Sequence, residues 1–186
     1  MALENSDKLQ EHIVLLGYMG CGKSVIGKSI AKIAAYPFTD LDEYIEEKAQ
    51  QKIAQIFESK GEIYFRKLEK KYLRELLSGS NPRVISLGGG TPCYFDNMED
   101  ILASTRYVIY LKTSVSALAE RLLSETAKRP ILQFHQSKTA LETFIAKHLF
   151  ERQSFYYQAP ILVSTDEKTP ENIAKEILES LKSQDK

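Results

Sequence analysis

The chain has 186 residues, with 25 basic and 25 acidic side chains, so its formal net charge is zero. Hydrophobic residues make up 43% and charged residues 27%, the balance of a globular protein that can bury a core, and we expect one domain over residues 1–186. The neutral charge argues against a nucleic-acid-binding protein, which usually shows a basic excess. No run approaches the ~20 apolar residues that a membrane span needs.

The cysteines and the N-terminus bear on the compartment. Cys21 and Cys93 form no CxxC pair and no metal-ligand cluster, which predicts two reduced thiols. The first ten residues, MALENSDKLQ, lack the apolar region of a secretory signal. We therefore expect a cytoplasmic protein. No long heptad pattern or obvious apolar patch argues for assembly, so we expect a monomer.

Short apolar runs alternate with helical patterns along the chain. The runs are 12–17, 36–40, 83–90, 106–112 and 160–164, of which 36–40 is the weakest. Such runs suit strands that are buried on both faces, as in a parallel sheet. Helical spacing follows at 115–123 and again from Pro170, where Thr169 is the expected N-cap. The alternation predicts a three-layer α/β/α sandwich.

Residues 124–138 have no clean period and predict a long mobile loop, and loops of that length in compact domains are often lids. The loop carries Arg129 within KRPIL. An arginine there could close over the β- and γ-phosphates of a nucleotide and stabilise the charge of the moving phosphoryl group. A lone arginine before proline would indicate little, so this interpretation depends on the loop.

The stretch GYMGCGKS, from Gly17 to Ser24, fits G-x-x-x-x-G-K-[ST] at every fixed position and lies between a predicted strand and a predicted helix. Its glycines let backbone N–H groups approach phosphates, Lys23 can reach the β- and γ-phosphates, and Ser24 can ligate Mg²⁺. The following helix adds its N-terminal partial charge. The motif predicts nucleoside triphosphate binding. Within it, Cys21 is expected to contribute only its backbone N–H.

Asp40 and Asp42 follow the second predicted strand, at the sheet edge where α/β proteins bind ligands. One of them could simply cap the next helix. In a phosphotransferase, one carboxylate here would hold Mg²⁺ and the other would orient or deprotonate an attacking hydroxyl. The pair alone leaves both interpretations open.

Arg66 lies on a predicted helix stripe with Glu62, Glu69, Leu73 and Leu76. The two leucines suggest that the stripe faces inward, which favours a buried arginine held by two carboxylates. Surface salt bridges at i,i+3 and i,i+4 are the alternative.

Arg152 lies on a second apolar stripe, with Leu141, Ile145, Leu149 and Tyr156. A buried charge without a partner would cost several kcal/mol of desolvation, so Arg152 predicts a ligand anion. A guanidinium matches a carboxylate bidentately, which a lysine cannot do.

Three consecutive glycines, Gly88, Gly89 and Gly90, end another predicted strand. Glycines let a ligand approach the backbone closely because no Cβ intervenes. A flexible turn is the alternative, but flexibility alone does not need three glycines.

Taken together, GYMGCGKS, DLD, GEIYFR, LGGG, KRPIL and R-x-x-x-Y (Arg152 to Tyr156) resemble the shikimate kinase family in order and approximate spacing. The resemblance covers about residues 12–180. It implies a fold similar to that of nucleoside monophosphate kinases, with a five-stranded parallel sheet, a helical substrate-binding region at about 41–78 and a mobile lid at about 123–138. It also implies phosphorylation of shikimate at the 3-hydroxyl, with ATP as donor and Mg²⁺ as cofactor, in the route to chorismate and the aromatic amino acids.

The resemblance implies roles for individual residues. Lys23, Asp42 and Arg129 would be catalytic, with Asp42 as the base, and Ser24 and Asp40 would hold Mg²⁺. The residues implied to contact ATP are Gly20, Cys21, Gly22, Lys23, Ser24, Val25, Arg129 and Lys168. The residues implied to contact shikimate are Asp42, Arg66, Gly88, Gly89, Gly90 and Arg152.

Three features depart from the commonest family pattern: Val25 where threonine often stands, the early Ala159, and a lid without diagnostic residues beyond Leu132. The first two should not affect the chemistry. A related small-molecule kinase, for gluconate or a nucleotide, and an inactive ATP-binding regulatory module are the alternatives.

Overall fold

Five parallel strands form the central sheet of the computed structural model, which describes residues 11–123 and 137–184. The strands are β1 (Ile13–Leu16), β2 (Phe38–Asp40), β3 (Val84–Ser86), β4 (Val108–Lys112) and β5 (Ile161–Ser164). Their order is β2-β3-β1-β4-β5, and every neighbouring pair is parallel. Strands β2 and β3 therefore lie on one side of β1, and β4 and β5 lie on the other. Open α/β sheets bind ligands where the strand order reverses in this way, at the carboxyl ends of the strands.

The helices lie on both faces of the sheet. They are α1 (Lys23–Ala34), α2 (Leu41–Ala49), α3 (Ile53–Leu77), α4 (Asn97–Ser104), α5 (Val115–Leu123), α6 (Lys138–Tyr156) and α7 (Pro170–Gln184). A 3-10 turn spans Thr91–Cys93. Helix α3 is interrupted at Gly61, whose φ of 78° and ψ of 174° are not helical. No helix among the described residues is both long and apolar enough to cross a membrane.

The side chains of β1 show how the layers form. Ile13 and Leu15 point to one face and pack with residues of α1, α5, α6 and α7. Val14 and Leu16 point to the other face and pack with residues of α2, α3 and α4. All four side chains are fully buried, because helices cover both sides of the strand. The predicted three-layer sandwich is confirmed.

The observed elements differ from the predicted ones mainly at their ends. The run at 83–90 is a strand only over Val84–Ser86, because the glycines that follow leave the ladder and lead into the 3-10 turn. Thr169 accepts a 3.3 Å hydrogen bond from the N–H of Asn172, which confirms the predicted cap of α7. Of the predicted lid, Leu123 ends α5 and Lys138 begins α6. Residues 124–136, with Arg129, lie outside the described residues.

Candidate active site

The loop between β1 and α1 is shaped by its glycines. A Cβ on Gly17, whose φ is +145°, would lie 2.8 Å from the carbonyl oxygen of Leu111 and 2.9 Å from Sγ of Cys21. Gly22 is the N-cap of α1 with a left-handed φ of 98°. Because Gly22 has no side chain with which to cap the helix, the first N–H groups of α1 are available to an anion.

Lys23 is the first residue of α1, and its side chain folds back over the loop. Nζ donates hydrogen bonds to the carbonyl oxygens of Gly17 at 2.9 Å and Tyr18 at 3.0 Å. Lys23 is only 9% exposed, so these neutral carbonyls replace the water around its charge. The ammonium group of Lys23 therefore lies inside the loop, next to the N-terminus of α1.

Ser24 and Asp40 join α1 to the end of β2. The Ser24 hydroxyl donates a 2.8 Å hydrogen bond to Oδ2 of Asp40. The other oxygen, Oδ1, accepts a 3.1 Å hydrogen bond from the N–H of Asp42, which makes Asp40 the N-cap of α2. Both interpretations of Asp40 from the sequence therefore hold geometrically: it caps a helix and it presents a carboxylate beside the phosphate loop.

These oxygens suit Mg²⁺. Magnesium prefers hard oxygen ligands and usually takes one or two from the protein, with waters and phosphates completing its shell. The Ser24 hydroxyl and the Asp40 carboxylate provide such a pair beside the loop. No group of three or more potential His, Cys, Asp or Glu ligands occurs within residues 11–123 and 137–184.

Asp42 is a carboxyl with a raised pKa. Burial raises its pKa most, and the negative charges of Asp40 and Glu69 raise it further. Lys23 and Arg66 oppose them, and the resulting pKa is about 6. A carboxyl with a pKa near neutrality is ionised at physiological pH and yet basic enough to accept a proton from a hydroxyl.

A cleft of about 720 Å³ connects these groups at the carboxyl ends of the strands. One end is lined by Asp42, Gly88 and Gly89, and the other by Arg121 and Lys168. The residues between the two ends include Gly20, Cys21, Gly22, Lys23, Ser24, Val25 and Asp40. The cleft therefore brings the predicted donor residues and part of the predicted acceptor residues into one space.

Arg66 is held at the acceptor end by two carboxylates. Its Nη1 donates to Oε2 of Glu69 at 2.9 Å and its Nη2 donates to Oε1 of Glu62 at 3.3 Å. The Arg66 side chain is 13% exposed and that of Glu69 is 1% exposed, so this pair is buried, whereas Glu62 lies at the surface. The stripe on α3 thus faces inward, as its leucines predicted.

The glycine loop contacts this pair. A Cβ on Gly88 would lie 3.0 Å from Oδ1 of Asp42 and 3.3 Å from Oε1 of Glu69. The same Glu69 oxygen accepts a 2.6 Å hydrogen bond from the hydroxyl of Thr91, which is fully buried. The loop therefore places Asp42 and the Arg66–Glu69 pair side by side without intervening side chains.

Arg152 approaches the same end from α6. Its guanidinium carbon lies 5.6 Å from the ring centroid of Tyr18. Burial raises the pKa of the Cys93 thiol to about 11, and the positive charges of Arg152 and Arg66 oppose this rise. Within the described residues Arg152 forms no ion pair with a carboxylate. Neither Arg66 nor Arg152 lines the cleft itself, but Arg66 lies against Gly90, next to the Gly88 and Gly89 end of the cleft.

Tyr156 ties α6 to the glycine loop. Its hydroxyl donates a hydrogen bond to the carbonyl oxygen of Gly89, and its ring is fully buried. Arg152 lies one turn before it on the same helix, so this bond fixes the arginine relative to the loop. Burial raises the pKa of the Tyr156 phenol, which therefore stays protonated and donates.

The sequence analysis named Lys168 as a nucleotide contact but did not identify Arg121 or Tyr94, of which Arg121 lines the cleft and Tyr94 contacts Arg66. Arg121 donates to the carbonyl oxygens of Gly20 and Thr165 at 3.4 Å each, and it lines the cleft together with Lys168. Lys168 itself pairs with Glu176 at 2.7 Å. Tyr94 stacks on Arg66 with its ring centroid 3.8 Å from the guanidinium carbon. Neither Arg121 nor Tyr94 carries a local sequence signal, because each acts through contacts with residues distant in the chain.

Comparison with known proteins gives a consistent set of relatives. A family model described as shikimate kinase matches residues 19–182. The shikimate kinase of Flavobacterium johnsoniae is 45% identical over 171 residues, which are 92% of this chain and 99% of the relative.

The chain is also similar to solved structures of shikimate kinases. A shikimate kinase from Acinetobacter baumannii, in complex with shikimate, has a TM-score of 0.85 at 30% identity over 96% of this chain and 97% of that one. The shikimate kinase from Bacteroides thetaiotaomicron has a TM-score of 0.82 at 36% identity, covering 94% of this chain and 97% of that one.

Proposed function

The chain belongs to the shikimate kinase family, and we propose that it transfers the γ-phosphoryl group of ATP to the 3-hydroxyl of shikimate, giving shikimate 3-phosphate and ADP. The observation that carries this proposal is that Asp42 and Arg66 both lie against the glycine loop, at Gly88 and Gly90, while Arg152 lies on the helix whose Tyr156 bonds Gly89. Two guanidinium groups fit a carboxylate, and a basic carboxyl beside them fits a hydroxyl. A hydroxylated acid has both groups.

ATP takes the other end of the cleft. The N–H groups at the start of α1 and the ammonium of Lys23 bind its β- and γ-phosphates. Arg121 and Lys168 line the region where the adenosine lies. Lys23 leaves its carbonyl partners for the phosphates, so its contribution grows as negative charge develops on the transferred group.

The residues that would hold Mg²⁺ are Ser24 and Asp40. At that site Mg²⁺ would supply positive charge that neutralises the β- and γ-phosphates during transfer. The hydroxyl–carboxylate pair already lies in place at 2.8 Å, so the chain keeps both oxygens directed at the phosphate loop. Arg129, which lies outside the described residues, is the proposed lid arginine.

Asp42 binds the acceptor hydroxyl and takes its proton during attack. With a pKa of about 6, Asp42 is mostly ionised above pH 7. Arg66 and Arg152 fix the carboxylate of the acceptor, and the backbone of Gly88, Gly89 and Gly90 contacts its ring. Catalysis comes mainly from this positioning and from electrostatic stabilisation of an in-line transfer. The monomeric state and cytoplasmic location stay predictions.

The test measures ADP release from ATP and Mg²⁺ with shikimate, gluconate, a nucleoside monophosphate or no acceptor. We expect turnover with shikimate alone, and ³¹P NMR of the product should place the phosphate at the 3-hydroxyl. Turnover with gluconate only would keep the donor site and overturn the acceptor. ATP binding without turnover on any acceptor would favour a regulatory module.

A further inference from the structure

Tyr94, directly after the 3-10 turn, forms a closed set of contacts with Arg66 and Glu62. The guanidinium carbon of Arg66 lies 3.8 Å from the centroid of the Tyr94 ring. The Tyr94 hydroxyl donates a 2.7 Å hydrogen bond to Oε1 of Glu62. The same oxygen accepts from Nε of Arg66 at 3.4 Å and from Nη2 at 3.3 Å. Each of the three side chains therefore contacts the other two.

The hydrogen bonds of Arg66 leave a defined pair of donors. A guanidinium has one N–H on Nε and two on each terminal nitrogen. Among the described residues, Glu62 accepts from Nε and Nη2, and Glu69 accepts from Nη1. One N–H therefore remains on each terminal nitrogen. Two such donors can meet a carboxylate only when the plane of the guanidinium is fixed.

Gly90 brings the loop against this plane. A Cβ there would lie 3.2 Å from Nη2 and 3.3 Å from Nη1 of Arg66, and 3.4 Å from Cε2 of Tyr94. The ring, the guanidinium and the loop backbone are therefore in contact. The Glu62 side chain is half-exposed and can move. The Tyr94 ring therefore holds the plane of the Arg66 guanidinium, and the Tyr94 hydroxyl holds the Glu62 carboxylate.

We propose that Tyr94 is a positioning residue for acceptor binding: it fixes the plane in which Arg66 presents its two remaining N–H groups to the acceptor carboxylate. The ring contributes the stacking and the hydroxyl keeps Glu62 on the arginine edge. This proposal rests on the proposed function for the identity of the acceptor. It assigns a role to a residue in an irregular segment that contacts Arg66 and has no contact with the phosphate loop among those described above.

The test compares Tyr94→Leu and Tyr94→Phe with Tyr64→Leu. Tyr64 is a matched control because it too lies beside a cation, 4.5 Å from Nζ of Lys60, but on the outer surface. We expect Tyr94→Leu to raise the KM for shikimate about tenfold, with kcat and the KM for ATP changed less than about twofold. Tyr94→Phe keeps the stacking and should raise that KM only about threefold. Tyr64→Leu should match the unchanged protein.

A second readout reports on the arginine directly. In ¹⁵N NMR the Arg66 Nε–H should exchange with water several-fold faster in Tyr94→Leu than in Tyr64→Leu, with or without substrates. An equal rise in both KM values, a loss of kcat alone, or unchanged Arg66 exchange would overturn the proposal. If the unchanged protein does not use shikimate, the proposed function fails, whereas the exchange comparison still decides the role of Tyr94. Circular dichroism would show whether Tyr94→Leu is folded. If it is not, Tyr94→Phe is compared with Tyr64→Leu instead.

Discussion

Glu69 accepts a 2.9 Å hydrogen bond from Arg66 while its own side chain is 1% exposed. Its other oxygen accepts from the buried hydroxyl of Thr91. One carboxylate therefore joins α3 to the segment after the glycine loop and neutralises Arg66, which we propose binds the acceptor. The arrangement links the stability of the fold to the geometry of the site.

Removing Glu69 should therefore destabilise the protein. Glu69→Ala leaves Arg66 largely buried beside a hydroxyl without its acceptor, and breaking such a pair costs about 3 kcal/mol. Glu75→Ala is the matched control on the same helix, because Glu75 pairs with Lys48 at the surface. Surface pairs contribute about 0–1 kcal/mol. Denaturant unfolding gives both values, and equal losses for the two variants would contradict the buried role of Glu69.

Activity should depend on the ionisation of Asp42. Burial and its acidic neighbours raise the pKa of Asp42 to about 6. The base must be ionised, so we expect kcat/KM to rise with pH and to level off above that pKa. Asp42→Asn should lose most of the activity, and its remaining kcat/KM should no longer rise with pH. A profile without an inflection near the stated pKa would argue against Asp42 as the base.

The same pKa has a consequence for stability. Because the pKa of Asp42 is raised on folding from about 3.9, the folded state binds more protons than the unfolded state between that value and about 6. Ionised Asp42 therefore costs stability above this window. Asp42→Asn should melt at a higher temperature than the unchanged protein at pH 7.5, and the difference should vanish below about pH 4. A variant that melts lower at pH 7.5 would contradict this sign.

Much of the site could be predicted because its groups follow local patterns. The phosphate loop has a fixed spacing after an apolar run, and the burial of Arg66 followed from leucines on the same stripe of α3. The order of the strands could not be obtained this way, because periodicity says that a strand is buried but not which strand lies beside it.

Contacts between distant residues explain the rest. Tyr94 and Glu62 are 32 residues apart, and Arg121 lies 101 residues from Gly20. Tyr94 and Arg121 do not change the hydrophobic periodicity of the segments that contain them. The sequence therefore gives no indication that they contact Glu62 and Gly20. Such residues become visible only when the sheet brings their segments together.

Lys23 should be essential for transfer but not for folding. Its Nζ binds two loop carbonyls, and Lys23→Ala removes the charge that meets the phosphates. We expect kcat to fall on the order of 10³-fold while circular dichroism stays unchanged. Lys32→Ala, at the exposed far end of α1, should keep normal kinetics. Activity of Lys23→Ala close to that of the control would remove Lys23 from the mechanism.

Arg152 should discriminate between the two substrates. Its guanidinium lies by Tyr18 and no carboxylate among the described residues lies within ion-pair distance of it, so the acceptor carboxylate is its proposed counterion. Arg152→Lys keeps the charge but loses bidentate geometry, and we expect the calorimetric Kd for shikimate to rise about tenfold or more. The Kd for ATP should change less than about twofold, since the phosphates bind at the α1 end of the cleft. Arg83→Lys, just before the amino end of β3, is the control. If Arg152→Lys weakens both ligands equally, Arg152 supports the whole cleft rather than the acceptor, and the carboxylate assignment fails.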